Sequence, residues 1–215
     1  AALAVNVALP DTEASIGGTV EAPAITIQTL MAGDGTATYN ADATSGAGAT
    51  DTGVAGALAL GVVDGTNRAL AGSGASLTLS GAGSKNLLIS ATSVSVADAT
   101  AVADSTGDLG IGASVAVNIG FQETHAEIMD GASVTGAHDV TLTADSDHTT
   151  TTTAEAGAEG GEAISPAVAF AYTDNDTAAL IGTGSLLDIT GSLLVEAIHV
   201  AGVTTTARGD TAGTE

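Results

Sequence analysis

Residues 114–129 read SVAVNIGFQETHAEIM, and three other stretches align with them without a gap: ALAVNVALPDTEASIG at 2–17, ALALGVVDGTNRALAG at 57–72 and AVAFAYTDNDTAALIG at 167–182. Their starting points lie 55, 57 and 53 residues apart. Self-similarity at such a period is the signature of stacked repeats, in which a unit unable to enclose its own core covers the exposed end of its neighbour. The chain thus reads as one continuous repeat region, residues 1–215, with units of about 2–56, 57–113, 114–166 and 167–215.

Within the aligned block, large apolar residues recur at every second position: Leu3, Val5 and Val7; Leu58, Leu60 and Val62; Val115, Val117 and Ile119; Val168, Phe170 and Tyr172. Side chains two apart share one face of a strand, so the spacing predicts strands that bury these residues and turn Ala4, Ala59, Ala116 and Ala169 the other way. A second strand follows in each unit, marked by Ile25 and Ile27, Leu87 and Ile89, Val140 and Leu142, Leu193 and Val195. Threonine runs such as Thr149–Thr153 and Thr204–Thr206 suit half-exposed strands, and glycine-rich runs such as 156–161 suit corners. Alanine also favours helices, but here it alternates with β-branched residues and no 3.6-residue stripe lasts three turns. The expected fold is all-β, a β-solenoid of four ~55-residue repeats, with an array of β-sandwich units as the alternative. At about 18–28 residues per coil, each repeat is expected to supply two or three coils, each adding about 4.8 Å to a rod.

Composition narrows the function. Of the 215 residues 44 % are hydrophobic but only 2 % aromatic, so the core must be aliphatic and alanine-rich. Charged residues are 13 %, well below the roughly 25 % of an ordinary domain, which argues for a folded chain despite a net charge of -22. Arg68, Lys85 and Arg208 are the basic residues, too few to neutralise phosphates, so nucleic acid and membrane insertion are not expected. The absence of cysteine excludes disulfides and thiolate metal sites. The longest apolar stretch, Ala163 to Tyr172, is half the ~20 residues that cross a bilayer as a helix. Neither a signal peptide nor an anchor is recognisable.

Residues 112–147, GASVAVNIGFQETHAEIMDGASVTGAHDVTLTADSD, with TTTTTAEAGAEGG at 149–161, resemble the repeats of very large bacterial filamentous, haemagglutinin-like surface adhesins. In that family a G-A-S-V-A-V-N strand, an A-x-I strand and a D-V-T-V-x-A strand recur many times. The resemblance extends over all the units, and its motifs mark fold more than activity. Gly61 and Ala171 depart from the asparagine found at 6 and 118. What it implies is a right-handed parallel β-helical stalk at the bacterial surface or in an extracellular or biofilm matrix, a structural fibre segment that pairs with copies of itself. An adhesin module that binds a surface or matrix partner through its flank is the alternative. The closing residues 209–215, GDTAGTE, followed by AALAVNV would imitate 107–117, GDLGIGASVAV, as expected of one period in a longer tandem fibre.

Motifs for chemistry are sparse. His125, His138, His148 and His199 lack His-x-x-x-His spacing and read as solvated surface residues. There is no Gly-x-Ser-x-Gly elbow, so no catalytic, cofactor-binding or metal residue is assigned and no enzyme is expected. Asp145/Asp147 and Asp174/Asp176 each share a strand face and could offer oxygens to calcium. Without a Gly-Gly-x-Gly-x-Asp repeat or an EF-hand loop, a solvated acidic face is the favoured reading. Thr149–Thr153 raises an ice-binding solenoid as a minor alternative, but Tyr39–Asp42 and Val96–Ala99 occupy comparable places. Arg208-Gly209-Asp210 spells an integrin tripeptide, and a corner at the phase of Gly107-Asp108 is its expected setting. A passive stalk predicts polar or small-residue faces, whereas an adhesin predicts an exposed apolar patch of several hundred Å². Two Phe and two Tyr favour the stalk.

Overall fold

The computed structural model describes residues 1–31 and 35–213. The chain is all-β, with parallel strands gathered in three stacked sheets, as in a β-solenoid. The first circuit places β1 (Ala2–Ala8) and β2 (Asp11–Ile16) in a front sheet, β3 (Thr19–Ala22) in a narrow end sheet, and β4 (Ile25–Leu30) and β5 (Ala37–Gly48) in a back sheet. The same route is then taken by β6 (Thr52–Ala71), β7 (Ser76–Leu79) and β8 (Leu87–Thr106), and by β9 (Leu109–Ile128), β10 (Ser133–Ala137) and β11 (Val140–Gly160). The last circuit is β12 (Glu162–Ile164) and β13 (Ala167–Ile181), β14 (Leu186–Ile189) and β15 (Leu193–Gly213).

The internal alignment of the sequence is a spatial stack. Ala2 lies beside Ala57, Ala57 beside Ser114, and Ser114 beside Ala167. One repeat therefore makes one circuit, which corrects the expectation of two or three coils per repeat. The difference lies in strand length: β8 and β11 run for 20 and 21 residues, so the second strand and the Thr/Ala stretch after it are a single strand with no corner between them. Real corners come where the backbone turns left-handed, at Gly74, Gly131 and Gly184, with φ of 69°, 71° and 70° at matching points of successive circuits.

Front and back sheets face each other, and their inward side chains divide the interior into zones. Nearest the end sheet, Ile25, Ile27, Leu77, Leu87, Ile89, Ile128, Val134 and Leu142 form an aliphatic core between three walls. On the far side the core is built of alanine: Ala41, Ala43, Ala57, Ala59, Ala99, Ala101, Ala116 and Ala154. Methyl groups meeting methyl groups let two sheets come closer than the ~10 Å that larger side chains impose. Between the zones runs a buried polar belt that includes Asn67, Ser95, Asn118, Gln122, Thr124, His148 and Thr152. The Asn67 and Asn118 amides cross from front to back sheet, donating to the carbonyls of Thr92 (2.7 Å) and Ala97 (2.9 Å). Such bonds hold the two sheets in register, because a slip would strand buried polar groups.

The departure at Gly61 now has a reason. A Cβ there would sit 3.0 Å from Asn118 Oδ1, so the glycine leaves room for the asparagine of the next circuit.

Ala116, fully buried among the alanines, gives a test of the narrow zone. Ala116→Leu is expected to lose about 1–3 kcal/mol by overpacking, measured by urea denaturation. Val115→Leu, on the outward neighbour, should leave stability nearly unchanged. Equal losses would mean that the two faces are assigned the wrong way round.

Candidate functional site: an outward apolar face beside a charged strip

The alternation in the front strands is as expected, but its sense is reversed. Ala59, Ala116 and Ala126 are fully buried, whereas the large residues point outward: Leu58 is 42 % exposed, Phe170 52 % and Tyr172 47 %. This corrects the placement of Leu3, Val5, Val7 and their counterparts on the buried face. The space facing these strands is already filled to alanine depth from the back sheet, so Val, Leu or Phe has no room inside. A signal for this was present in the second strand: Asp98, Asp104, Glu155 and Glu159 alternate with Ala97, Ala99, Ala101, Ala103, Ala154, Ala156 and Ala158, and carboxylates must take the solvent side.

Stacking converts these outward positions into rows along the rod. Leu3, Leu58, Val115 and Val168 form one row, Val5, Leu60, Val117 and Phe170 the next, and Val7, Val62, Ile119 and Tyr172 a third. A further row of Val54, Ile111 and Ile164 lies two positions before a row of small residues that includes Gly56 and Ala113. None of these rows carries a charge. Phe121, 41 % exposed, borders them and packs against Tyr172 with ring centroids 5.7 Å apart.

Immediately beyond lies a charged strip. Arg68 is ion-paired with Glu123, and His125 lies between two carboxylates, its Nδ1 2.9 Å from Glu127 Oε1 and its Nε2 hydrogen-bonded to Asp176 Oδ2 at 3.1 Å. Asp64, Phe121, Glu123, Asp174 and Asp176 line an open groove of about 430 Å³ beside it. A second open groove of about 390 Å³ on the back sheet is lined by Asp104, Glu155, Glu159, Arg208 and Asp210 among others.

The other sequence candidates disperse. His148 is 3 % exposed, which corrects its reading as a surface residue. Its Nδ1 lies 2.8 Å from Ser95 Oγ, which also donates to Gln122 Oε1 at 2.9 Å. With Ser95 1 % exposed, this Ser–His pair sits in the polar belt where no substrate reaches it. The His148 ring is 6.1 Å from that of His199, whose Nδ1 lies 2.7 Å from Ser146 Oγ. His138 stands exposed at a corner, bonded to Asp139 at 3.1 Å. Ser192 N–H and His138 hold the Asp139 carboxyl below its ordinary range.

Asp145 and Asp147 share the outer face of the back sheet, and Asp174 and Asp176 that of the front sheet. No group of three His, Asp or Glu placed to hold a metal occurs among the described residues. Thr149, Thr151 and Thr153 point outward and Thr150 and Thr152 inward, beside Val96, Asp98 and Thr100 of the preceding circuit. Arg208, Gly209 and Asp210 lie within β15 beside Glu155, Ala156 and Gly157, not at a corner, which corrects both their expected setting and their match to Gly107-Asp108. The last two residues of the closing stretch, 214–215, lie outside the described residues, so the comparison of 209–215 with 107–117 extends beyond them.

Together these features make a neutral apolar sheet face edged by a strip of charged side chains. Comparison with known proteins found no matching family model, no matching curated protein and no matching solved structure.

Proposed function

We propose that this chain is a structural segment of an extracellular bacterial fibre, a right-handed β-helical rod of four ~55-residue repeats that joins copies of itself end to end. The observation that carries this reading is the register. Each circuit meets the next through the same row of backbone groups, with Ala57 on Ala2, Ser114 on Ala57 and Ala167 on Ser114. A ladder of this kind has no intrinsic end, because every added circuit leaves an edge like the one it covered. The resemblance to filamentous, haemagglutinin-like repeats points the same way. A charge of -22 keeps such a rod soluble while its edges pair.

Electron microscopy of the concentrated chain tests it. The expected result is rods of constant width whose lengths are multiples of one chain, about 19 Å for four circuits at about 4.8 Å each. Particles that stay the size of one chain at every concentration would reject end-to-end assembly. A second reading, an adhesin module, is favoured by the exposed apolar face around Leu58, Phe170 and Tyr172, which a passive stalk does not require.

A further inference from the structure

We infer that the apolar front face is the contact surface for a second copy of this chain, packed face to face, so that rods associate sideways as well as end to end. Three observations select that occupant.

The first is charge. The chain carries 25 acidic residues against three basic ones, so most approaches between copies bring carboxylates together. The three apolar rows are free of charge and give a like-charged copy a place to dock. The Asp64, Glu123 and Asp176 carboxylates beside them oppose an anionic lipid surface.

The second is area. From the row at Val54 to the row at Val62, at about 3.3 Å per residue and about 4.8 Å per strand, the face covers roughly 500 Å². A two-fold contact then removes roughly 1,000 Å², the lower bound for a specific interface, and each further circuit widens it.

The third is shape. A two-fold axis along the rod through the row of Leu58 and Val115 reverses the strand direction of the partner. The bulky row of Leu60, Val117 and Phe170 then lies over the small row of Gly56 and Ala113 in the other copy. The row ending in Tyr172 lies over that of Val54 and Ile111. The same operation carries the row of Asp64 and Asp174 past the apolar rows to the row of Thr52, Leu109 and Glu162, which holds a single acid, instead of setting it against its own equivalent. Contacts of this isologous kind repeat the same surface on both partners.

The inference rests on the fibre reading for its role, but the two fail separately. End-to-end pairing uses strand edges, whereas this contact uses a sheet face. Sedimentation of the 215-residue chain should show a concentration-dependent dimer, weakened at least tenfold by Val117→Glu, with circular dichroism unchanged. Because the chain has no cysteine, Val115→Cys on the proposed axis should cross-link to its own copy under oxidation, and Thr141→Cys on the outer back face should not. If Val117→Glu fails to fold, the cross-link decides. A chain that stays monomeric, an assembly indifferent to Val117→Glu, or equal cross-linking at both cysteines would overturn the proposal. So would binding of the monomer to phosphatidylcholine vesicles through this face, which would make lipid the occupant.

Discussion

Leu142→Asp is expected to unfold the chain, while Val117→Asp leaves it folded. Leu142 is fully buried in the aliphatic zone, between Ile89 and Val195 of the adjacent circuits. The substitution removes a buried leucine, worth about 2–3 kcal/mol, and places a carboxylate within an aliphatic cluster, for several more. A total loss of about 5 kcal/mol or more is comparable with the whole stability of an ordinary domain. Val117 points out of the front sheet, so Val117→Asp loses only cross-strand apolar contacts, about 1 kcal/mol. Thr141→Asp, outward on the same strand as Leu142, should be equally mild. Thermal melts followed by circular dichroism provide the comparison. A collapse of Val117→Asp as complete as that of Leu142→Asp would mean that the large residues of the front strands face the core.

Acid should weaken the fold through His148. Burial holds its pKa down at about 4 from an ordinary value of 6.5, with His199 adding to the effect and Asp147 opposing it. Its near surroundings are the Ser95 hydroxyl and, through it, Gln122, and its Nε2 has no bonding partner among the described residues. The unfolded chain takes up the proton near pH 6.5 and the folded chain only near 4. Between those values the unfolded state binds more protons, so stability falls as pH drops from about 6.5 to about 4 and this contribution is constant outside that window. The gap corresponds to on the order of 3 kcal/mol. Carboxylates titrate at the lower end of the same range, so the informative quantity is the difference between wild type and His148→Gln. Urea denaturation at pH 7.5, 5.5 and 4 should show the variant gaining on the wild type as the pH falls. A difference that is constant with pH would mean that the imidazole is solvated in the folded chain.

Much of the architecture was legible because it is written locally. Alternation in SVAVNI and in LLISATSVSVADATAV marks strands whatever they pack against. Corners were less legible: the glycine run expected to form one, 156–161, lies in β11 as far as Gly160, and the left-handed corners fall at Gly74, Gly131 and Gly184, where glycine takes that backbone angle without strain. Of the residues that mark the second strand, Ile25, Ile27, Leu87, Ile89, Val140 and Leu142 lie in the core, where three walls leave space for large side chains, whereas Leu193 and Val195 of the last circuit are 49 % and 40 % exposed. The outward apolar face was not legible. Its residues have the composition of a core, and the same valines and leucines would be core in a wider coil. His148 escaped as well, because its burial depends on Ser95 and Gln122, which are 53 and 26 positions away along the chain.

By itself, then, the sequence determined that the chain is built of strands and which residues stack: Ala2, Ala57, Ser114 and Ala167 align in the sequence and lie side by side in space. Periodicity and self-similarity are properties of the string, and parallel stacking preserves them. The tertiary structure alone decided which of two alternating sets is inside. A period of two divides a strand into two faces without naming either, and the name depends on how closely a second sheet, some 40 residues away, approaches. Here that sheet brings its own alanines, the gap closes to methyl–methyl contact, and the large residues of the front strands are left on the surface.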